Sequence, residues 1–182
     1  RQMCIRDRYH LAHSVHDMQE ITRRAYSNYL NGIDAEILNQ DQVKKNIPHM
    51  NVNGRYPVLG AILQRRAGTA RHDAVAWGYA RAAENLGVDI IQNCEVTGID
   101  VSSGIVTGLQ TTKGSVKAKK VGLVPAGHSS VLANMAGFRL PISSVPLQAL
   151  VSEPIKPILD CVIMSNTVHV YVSQSDKGEL VV

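Results

Sequence analysis

Leu63-Gln64-Arg65-Arg66-Ala67-Gly68-Thr69-Ala70-Arg71-His72-Asp73-Ala74-Val75-Ala76-Trp77-Gly78 is the stretch on which the reading of this 182-residue chain turns. Two arginines and a glycine lead into Arg-His-Asp, and an apolar periodic run comes directly after. Val75, Tyr79, Ala82 and Leu86 recur at helical spacing, so a helix is expected to begin at His72 or Asp73 and to stop at Gly87. The start of a helix offers backbone N–H groups without intrahelical acceptors and a partial positive charge, which suits an anion or an electron-rich ring edge. That charge favours the neutral imidazole at His72, the form with a nucleophilic lone pair, whereas Asp73 favours the charged form; the sequence leaves the balance open. The plain alternative makes Asp73 the N-cap, with Arg71 and His72 as solvated residues ahead of it.

Upstream, Ser14-Val15-His16-Asp17 reads as a capping-box start, with a helix to about residue 30 and Asn31-Gly32 as its end. Residues 34–38 suit a short strand, and a second short helix from about Asp41 stops before Pro48. Downstream of Gly87, the apolar run 88–91 reads as a parallel strand of a βαβ-like unit. Residues 95–101, 105–111 and 115–119 alternate in polarity and are separated by Ser102-Ser103-Gly104 and Lys113-Gly114, the pattern of a β-meander. Residues 120–127 read as a buried strand ending in a glycine turn, with a helix after it from Ser129 or Ser130 to Ala136. From Pro146 the texture is strand: 147–152, 161–164, 168–174 and 179 onward, with Ser175-Asp176-Lys177-Gly178 as a tight hairpin turn. His169 and Tyr171 stand two apart on one of these strands and so face one side, with Val168, Val170 and Val172 on the other. Such a polar pair is also ordinary for a solvent-facing sheet surface.

A hydrophobic content of 45% is that of a globular protein, and the net charge of +4 is spread along the chain. Lys113, Lys117, Lys119 and Lys120 are the densest basic group and read as a solvated strand edge; no basic run interleaved with aromatics points to nucleic acid. Cys4, Cys94 and Cys161 are scattered and odd in number, which argues for a reducing, cytoplasmic setting and against disulfides or a zinc site. His10, His13 and His16 lack a second ligand cluster and read as surface histidines, so no metal is expected. No apolar run approaches the roughly 20 residues that span a bilayer, and no membrane role is expected. Residues 1–8 do not match the texture of the rest of the chain and read as a non-native leader, and the chain stops inside a strand, as a fragment would.

From Leu11-Ala12-His13-Ser14 onward the chain resembles the beta subunits of heterotetrameric sarcosine oxidases, within the D-amino-acid-oxidase-like FAD-dependent oxidoreductases. The likeness is carried by Arg55-Tyr56-Pro57-Val58-Leu59-Gly60, residues 64–78, Ala126-Gly127-His128-Ser129-Ser130-Val131-Leu132, Pro146-Leu147-Gln148-Ala149-Leu150-Val151-Ser152-Glu153-Pro154 and Tyr171-Val172-Ser173-Gln174-Ser175-Asp176-Lys177-Gly178. It implies an α/β (α+β) fold: part of a two-domain FAD-dependent oxidoreductase, with parallel βα elements, a β-meander and part of an antiparallel substrate-domain sheet. Residues 9–144 would belong to the FAD-binding domain, with an intervening helical segment, and 145–182 would begin the substrate sheet.

The Gly-x-Gly-x-x-Gly turn that cradles dinucleotide phosphates is absent from these residues. The resemblance places it ahead of residue 1 and the closing FAD segment beyond Val182. It implies FAD contacts from the backbone of Val96, on the adenine side, and of Ala126 and Gly127, near the ribose and pyrophosphate, although Gly127 also suits a plain strand-to-helix turn. It implies a covalently attached FMN at His72, with Arg71 beside it, and places His169 and Tyr171 on the catalytic face. The implied reaction converts sarcosine to glycine, passes a one-carbon unit to tetrahydrofolate and forms hydrogen peroxide, in a hetero-oligomer with other subunits. Two alternatives stand beside it. One is a related amine dehydrogenase acting on dimethylglycine or a D-amino acid with FAD alone, whose single-flavin relatives carry an Asp-Pro-like turn where this chain has Arg71-His72. The other is a non-catalytic assembly subunit, which the presence of both His72 and Gly127 does not favour.

Overall fold

The structure, a computed structural model, describes residues 3–182, with side chains from Arg6 onward. In chain order the elements are β1 (Met3–Ile5), β2 (Arg8–Ala12), α1 (Val15–Leu30), β3 (Glu36–Asn39), α2 (Gln40–Asn46), β4 (Gly60–Gln64), β5 (Gly68–Ala70), α3 (His72–Asn85), β6 (Val96–Ser102), β7 (Ile105–Thr111), β8 (Gly114–Lys117), a 3-10 turn at Ala126–His128, α4 (Ser129–Met135), β9 (Val162–Ser165), β10 (Val170–Gln174) and β11 (Leu180–Val181). Two compact units divide the chain: one runs to Tyr79 and resumes over Ala149–Val182, and the other is Ala80–Gln148.

The first unit is built on a six-stranded sheet of order β11-β10-β9-β2-β4-β3. Its pairings are antiparallel except β2 with β9, which run parallel. Alternation along β2 sends Tyr9 and Leu11 to one face and His10 and Ala12 to the other, and all four are buried. On the first face α2 contributes Val43, and Ile47 just beyond it joins the same layer with Leu38, Ala61 and Leu63. On the second, α1 contributes Ile21 and Ala25 against Ala12, Ala35 and Ile62. Leu63 and Val43 are the largest fully buried side chains, each stabilising the unit by roughly 1.5–3 kcal/mol relative to exposure.

The helices start where their caps dictate. Ser14 Oγ accepts from the Asp17 N–H at 3.1 Å, while the Asp17 carboxylate turns back to the His13 N–H at 2.9 Å. Asn39 and Gln42 form a reciprocal capping box at α2, both bonds being 2.9 Å. Gly60 enters β4 where a Cβ would overlap the Leu38 carbonyl oxygen and stand 2.9 Å from Met18 Sδ. Gly60→Ala should therefore destabilise the unit by about 1–3 kcal/mol, because a backbone carbonyl rather than a flexible side chain must give way. The check is the denaturant midpoint of the variant; an unshifted midpoint would show that β3 yields without cost.

Several sequence-based expectations give way to the structure. The chain divides at Gln148 and Ala149, close to the division expected at residues 144 and 145, but its segments are grouped differently: β2, β3 and β4 share a sheet with β9–β11 because β2 pairs with β9, and the second unit is the meander with α4. The pairing of residues 3–8 concerns their placement and not the reading of 1–8 as a leader. β1 pairs with β5, Arg8 opens β2, and the Asp7 carbonyl accepts from the Val162 N–H at 2.8 Å; residues 1 and 2 lie outside the described residues. Residues 88–91 and 120–125 form no strand, since each is exposed or half-exposed and has no pairing neighbour among the described residues. Of residues 147–152, the later part pairs with β11 as expected of a strand: Leu150 and Val182 exchange backbone bonds at 2.8 and 2.9 Å, the Ser152 N–H donates to the Leu180 carbonyl at 3.0 Å, and Val151 bridges to Val181.

In the second unit β6, β7 and β8 form the expected meander, turning at Ser103 and Gly104, both at positive φ, and at Gly114. Lys117 is exposed on its edge strand. No described helix is long and apolar enough to cross a membrane.

Candidate functional site

The Arg71 carbonyl accepts from the Val75 N–H at 3.0 Å, so the first bond of α3 springs from Arg71 and His72 is the first helical residue, exposed to solvent. Asp73 stands inside the first turn, where its charge suits the helix start, and is not the cap. The Arg71 guanidinium is ion-paired with Asp176 in the turn between β10 and β11. Arg65 is held by Glu36 through Nε–Oε1 at 2.5 Å and Nη2–Oε2 at 3.1 Å, and Arg66 by Asp34 at 2.6 Å. All three arginines that precede His72 in this stretch thus carry carboxylate partners. No residue of α3 is buried, and Trp77, Tyr79 and the nearby Leu86 lie open despite their helical spacing.

Tyr171, 45% exposed, sits on β10 directly across from Met164 of β9, and Met164 in turn pairs with His10 of β2. These three residues share one sheet face. Met164 escaped sequence reasoning because only the strand register, not any local pattern, brings it beside Tyr171. His169 is not on the strand. It occupies the turn before β10 with φ +52°, so the two-residue spacing does not align it with Tyr171. The other face behaves as expected: Val168, Val170 and Val172 line an apolar cavity of about 320 Å³ with Leu11, Met50 and Ile163.

The three histidines near the N-terminus are not all on the surface. His10 is 6% exposed under α1, and its Nδ1 lies 3.0 Å from Arg24 Nη1. An arginine only donates, so this nitrogen accepts and the ring is neutral. Burial, with the charges of Arg24 and Arg8 adding to it, pushes the His10 pKa down to about 4. His13 is half-buried and bonded to Ser165, and only His16 is fully exposed. No group of three or more metal-ligating side chains occurs among the described residues. Burial pushes the Cys161 thiol up to about 11, which leaves it protonated and a poor nucleophile.

Val96, Ala126 and Gly127 all belong to the second unit. Val96 opens β6 next to a register shift in its pairing with β7. Ala126 has φ +49°, and its carbonyl accepts from Ser129 Oγ at 2.7 Å, while Ser144 Oγ donates to the Gly127 carbonyl. A Cβ on Gly127 would meet nothing closer than Ser144 Oγ at 4.0 Å. The packing of this unit therefore does not require glycine there. A backbone kept bare above open space, with its carbonyls held by serines, fits the close approach of a dinucleotide.

A mixed sheet flanked by helices, together with a unit of meander and bare glycine turn, is the architecture of flavin oxidoreductases, and the chain belongs to the FAD dependent oxidoreductase family (DAO), whose model matches residues 5–182. Sarcosine oxidase subunit beta of Rhodobacter capsulatus is 57% identical to it over 173 residues, 94% of this chain and 42% of that protein. The subunit of the same name from an Arthrobacter species is also 57% identical, over 94% of this chain and 43% of its own length. Human mitochondrial sarcosine dehydrogenase is 30% identical over 132 residues, 70% of this chain and 14% of that one. The chain spans less than half the length of the sarcosine oxidase subunits it matches. Two solved structures share the fold. L-proline dehydrogenase from P. horikoshii has a TM-score of 0.82 at 19% identity, covering 98% of this chain and 48% of that one. Glycine oxidase from Bacillus cereus has a TM-score of 0.75 at 21% identity, covering 99% and 48%.

Proposed function

We propose that the complete protein is the flavin-bearing beta subunit of a cytoplasmic heterotetrameric sarcosine oxidase, converting sarcosine to glycine, passing the one-carbon unit to tetrahydrofolate and forming hydrogen peroxide. The observation that carries this reading is the 57% identity, along 94% of the chain, to sarcosine oxidase beta subunits from two bacteria. Bound FAD would accept the two electrons of the amine, and an FMN fixed to His72 would pass them to oxygen. Val96, Ala126 and Gly127 would offer backbone to the FAD, the last with no side chain to obstruct it. Arg71, held by Asp176, would keep a positive charge beside His72. The turn residue His169 would stand at the edge of the amine site.

On the sheet face they share, exposed Tyr171 would supply a hydroxyl and half-buried Met164, whose Sδ accepts from Arg8 Nε at 3.0 Å, the thioether surface beside it. A small zwitterion needs both, a donor for its carboxylate and a dry surface for its methyl group. Tyr171→Phe in the complete enzyme should lower kcat/KM for sarcosine roughly tenfold to a hundredfold, the cost of about 1–3 kcal/mol for one lost hydrogen bond, with flavin content intact. Unchanged steady-state kinetics would make Tyr171 an ordinary surface residue. A dehydrogenase working on FAD alone would differ in carrying no FMN on the peptide that contains His72.

A further inference from the structure

We infer that His13 and Asp17 are positioning residues for the amine-binding face, acting through the turn between β9 and β10. This rests on the reading that Tyr171 lines that face. Tyr171 lies two residues beyond His169, which stands at φ +52° in a turn closed by its own N–H on the Asn166 carbonyl at 3.2 Å.

Two residues, His13 just ahead of α1 and Asp17 in its first turn, tie this turn to the rest of the unit. Asp17 Oδ2 accepts from Thr167 Oγ1 at 2.8 Å and from the His13 N–H at 2.9 Å. Burial pushes the Asp17 carboxyl up, but the bonds from the His13 backbone, Thr167 and Ser14 outweigh it and hold the group below the usual carboxylate range. The second tie is the His13 ring. Its Nδ1 lies 3.1 Å from the Pro57 carbonyl oxygen and 3.2 Å from that of Tyr56. Carbonyls only accept, so Nδ1 carries a proton and Nε2 is left to face Ser165 Oγ at 2.9 Å. In the neutral ring Nε2 accepts the Ser165 hydroxyl proton, and the same oxygen accepts from the Val168 N–H at 3.2 Å. Ser165 is buried, which makes this chain of bonds a fixed one.

The turn over 166–169 is therefore pinned at Thr167 and Val168, and the far end of the pin is the loop carrying Tyr56 and Pro57. Where the turn ends decides where β10 begins, and so which residue stands across from Met164. Releasing the pins loosens the placement of Tyr171 without touching the substrate directly.

The test uses the complete subunit assembled with its partners, and the thioether analogue of sarcosine, methylthioacetate, as a non-oxidisable probe read by its perturbation of flavin absorption. Asparagine at position 13 places its amide near Nδ1 and keeps the Tyr56 and Pro57 carbonyls but loses Ser165. Glutamine reaches the Nε2 position and keeps Ser165. His13→Asn should raise the probe Kd and the sarcosine KM about tenfold with kcat, flavin content and thermal midpoint near wild type, and His13→Gln should restore both. Thr167→Val, which removes only the Asp17 tie and leaves His13 in place, should weaken the probe about threefold. Equal behaviour of the Asn and Gln variants, or losses that track the thermal midpoint alone, would overturn the positioning role, as would unaltered binding in both His13→Asn and Thr167→Val. Tyr171→Phe separates the two levels. If it leaves probe binding unchanged, the assignment of the face itself fails; if it weakens binding while neither His13→Asn nor Thr167→Val does, only the positioning role fails.

Discussion

His72→Ala, in the complete subunit assembled with its partners, is expected to abolish acid-stable flavin and reduce oxygen turnover to background while FAD content and its reduction by sarcosine persist. A covalent link through imidazole needs a ring lone pair, and alanine has none. The effect should be this selective because the substitution is structurally mild. His72 is exposed at the first position of α3 and its ring makes no hydrogen bond among the described residues, and alanine is the best helix former. The Arg71–Asp176 pair beside it is left in place. The residues offered to FAD, Val96, Ala126 and Gly127, belong to the other unit and are not perturbed. The measurement is flavin fluorescence retained on protein after acid precipitation, alongside sarcosine reduction under nitrogen. Acid-stable flavin surviving in the variant would assign the anchor to a different residue.

The second large effect concerns stability in acid. Burial, with Arg24 and Arg8 beside it, pushes the native His10 pKa down to about 4, against an ordinary value near 6.5 in the unfolded chain. Between those values the unfolded state binds a proton that the native state refuses, so stability rises with pH across this window. The contribution is complete above about pH 6.5 and is lost progressively down to about pH 4, amounting to at most about 3.5 kcal/mol at roughly 1.4 kcal/mol per unit. The cause is burial under α1 beside Arg24, so the proton would add a second positive charge next to a guanidinium. His10→Gln keeps an acceptor for Arg24 and removes the titration. Denaturant unfolding at a series of pH values should show a wild-type slope between pH 6.5 and 4 that the variant lacks. Parallel curves would mean that His10 titrates equally in both states.

The origin of this burial explains what could be read from the sequence and what could not. Both ends of α1 were legible because capping is local: Ser14 and the Asn31-Gly32 pair stand next to the residues they satisfy. The meander and the hairpin before β11 were legible for the same reason, alternation punctuated by turn residues. His10 was misplaced on the surface because the side chain that meets it is fourteen residues away on α1, and the strand that pairs beside it, β9, lies some 150 residues on. The β2–β9 pairing also joins the first 79 residues to the C-terminal strands, which the sequence did not announce, since no periodicity marks a parallel neighbour at that distance. Residues 88–91 and 120–125 carry the apolar character of strands, but a strand exists only where a neighbour takes its hydrogen bonds.

At the candidate site, the family resemblance pointed to the segment and register decided the partners. Tyr171 stands on its strand as alternation required, and the valines flanking it turn to the cavity. His169 left the strand because the turn from β9 runs on to this left-handed residue, further than alternation alone suggests. Met164 could not be found from its own surroundings, since nothing in Val-Ile-Met-Ser distinguishes it until β9 is laid against β10.

The most direct test of a two-flavin subunit is mass mapping of the acid-precipitated complete protein after proteolysis. The expected result is FMN bound to the peptide that contains His72, with FAD released into the acid supernatant. All flavin in the supernatant, or FMN on a peptide without His72, would contradict it.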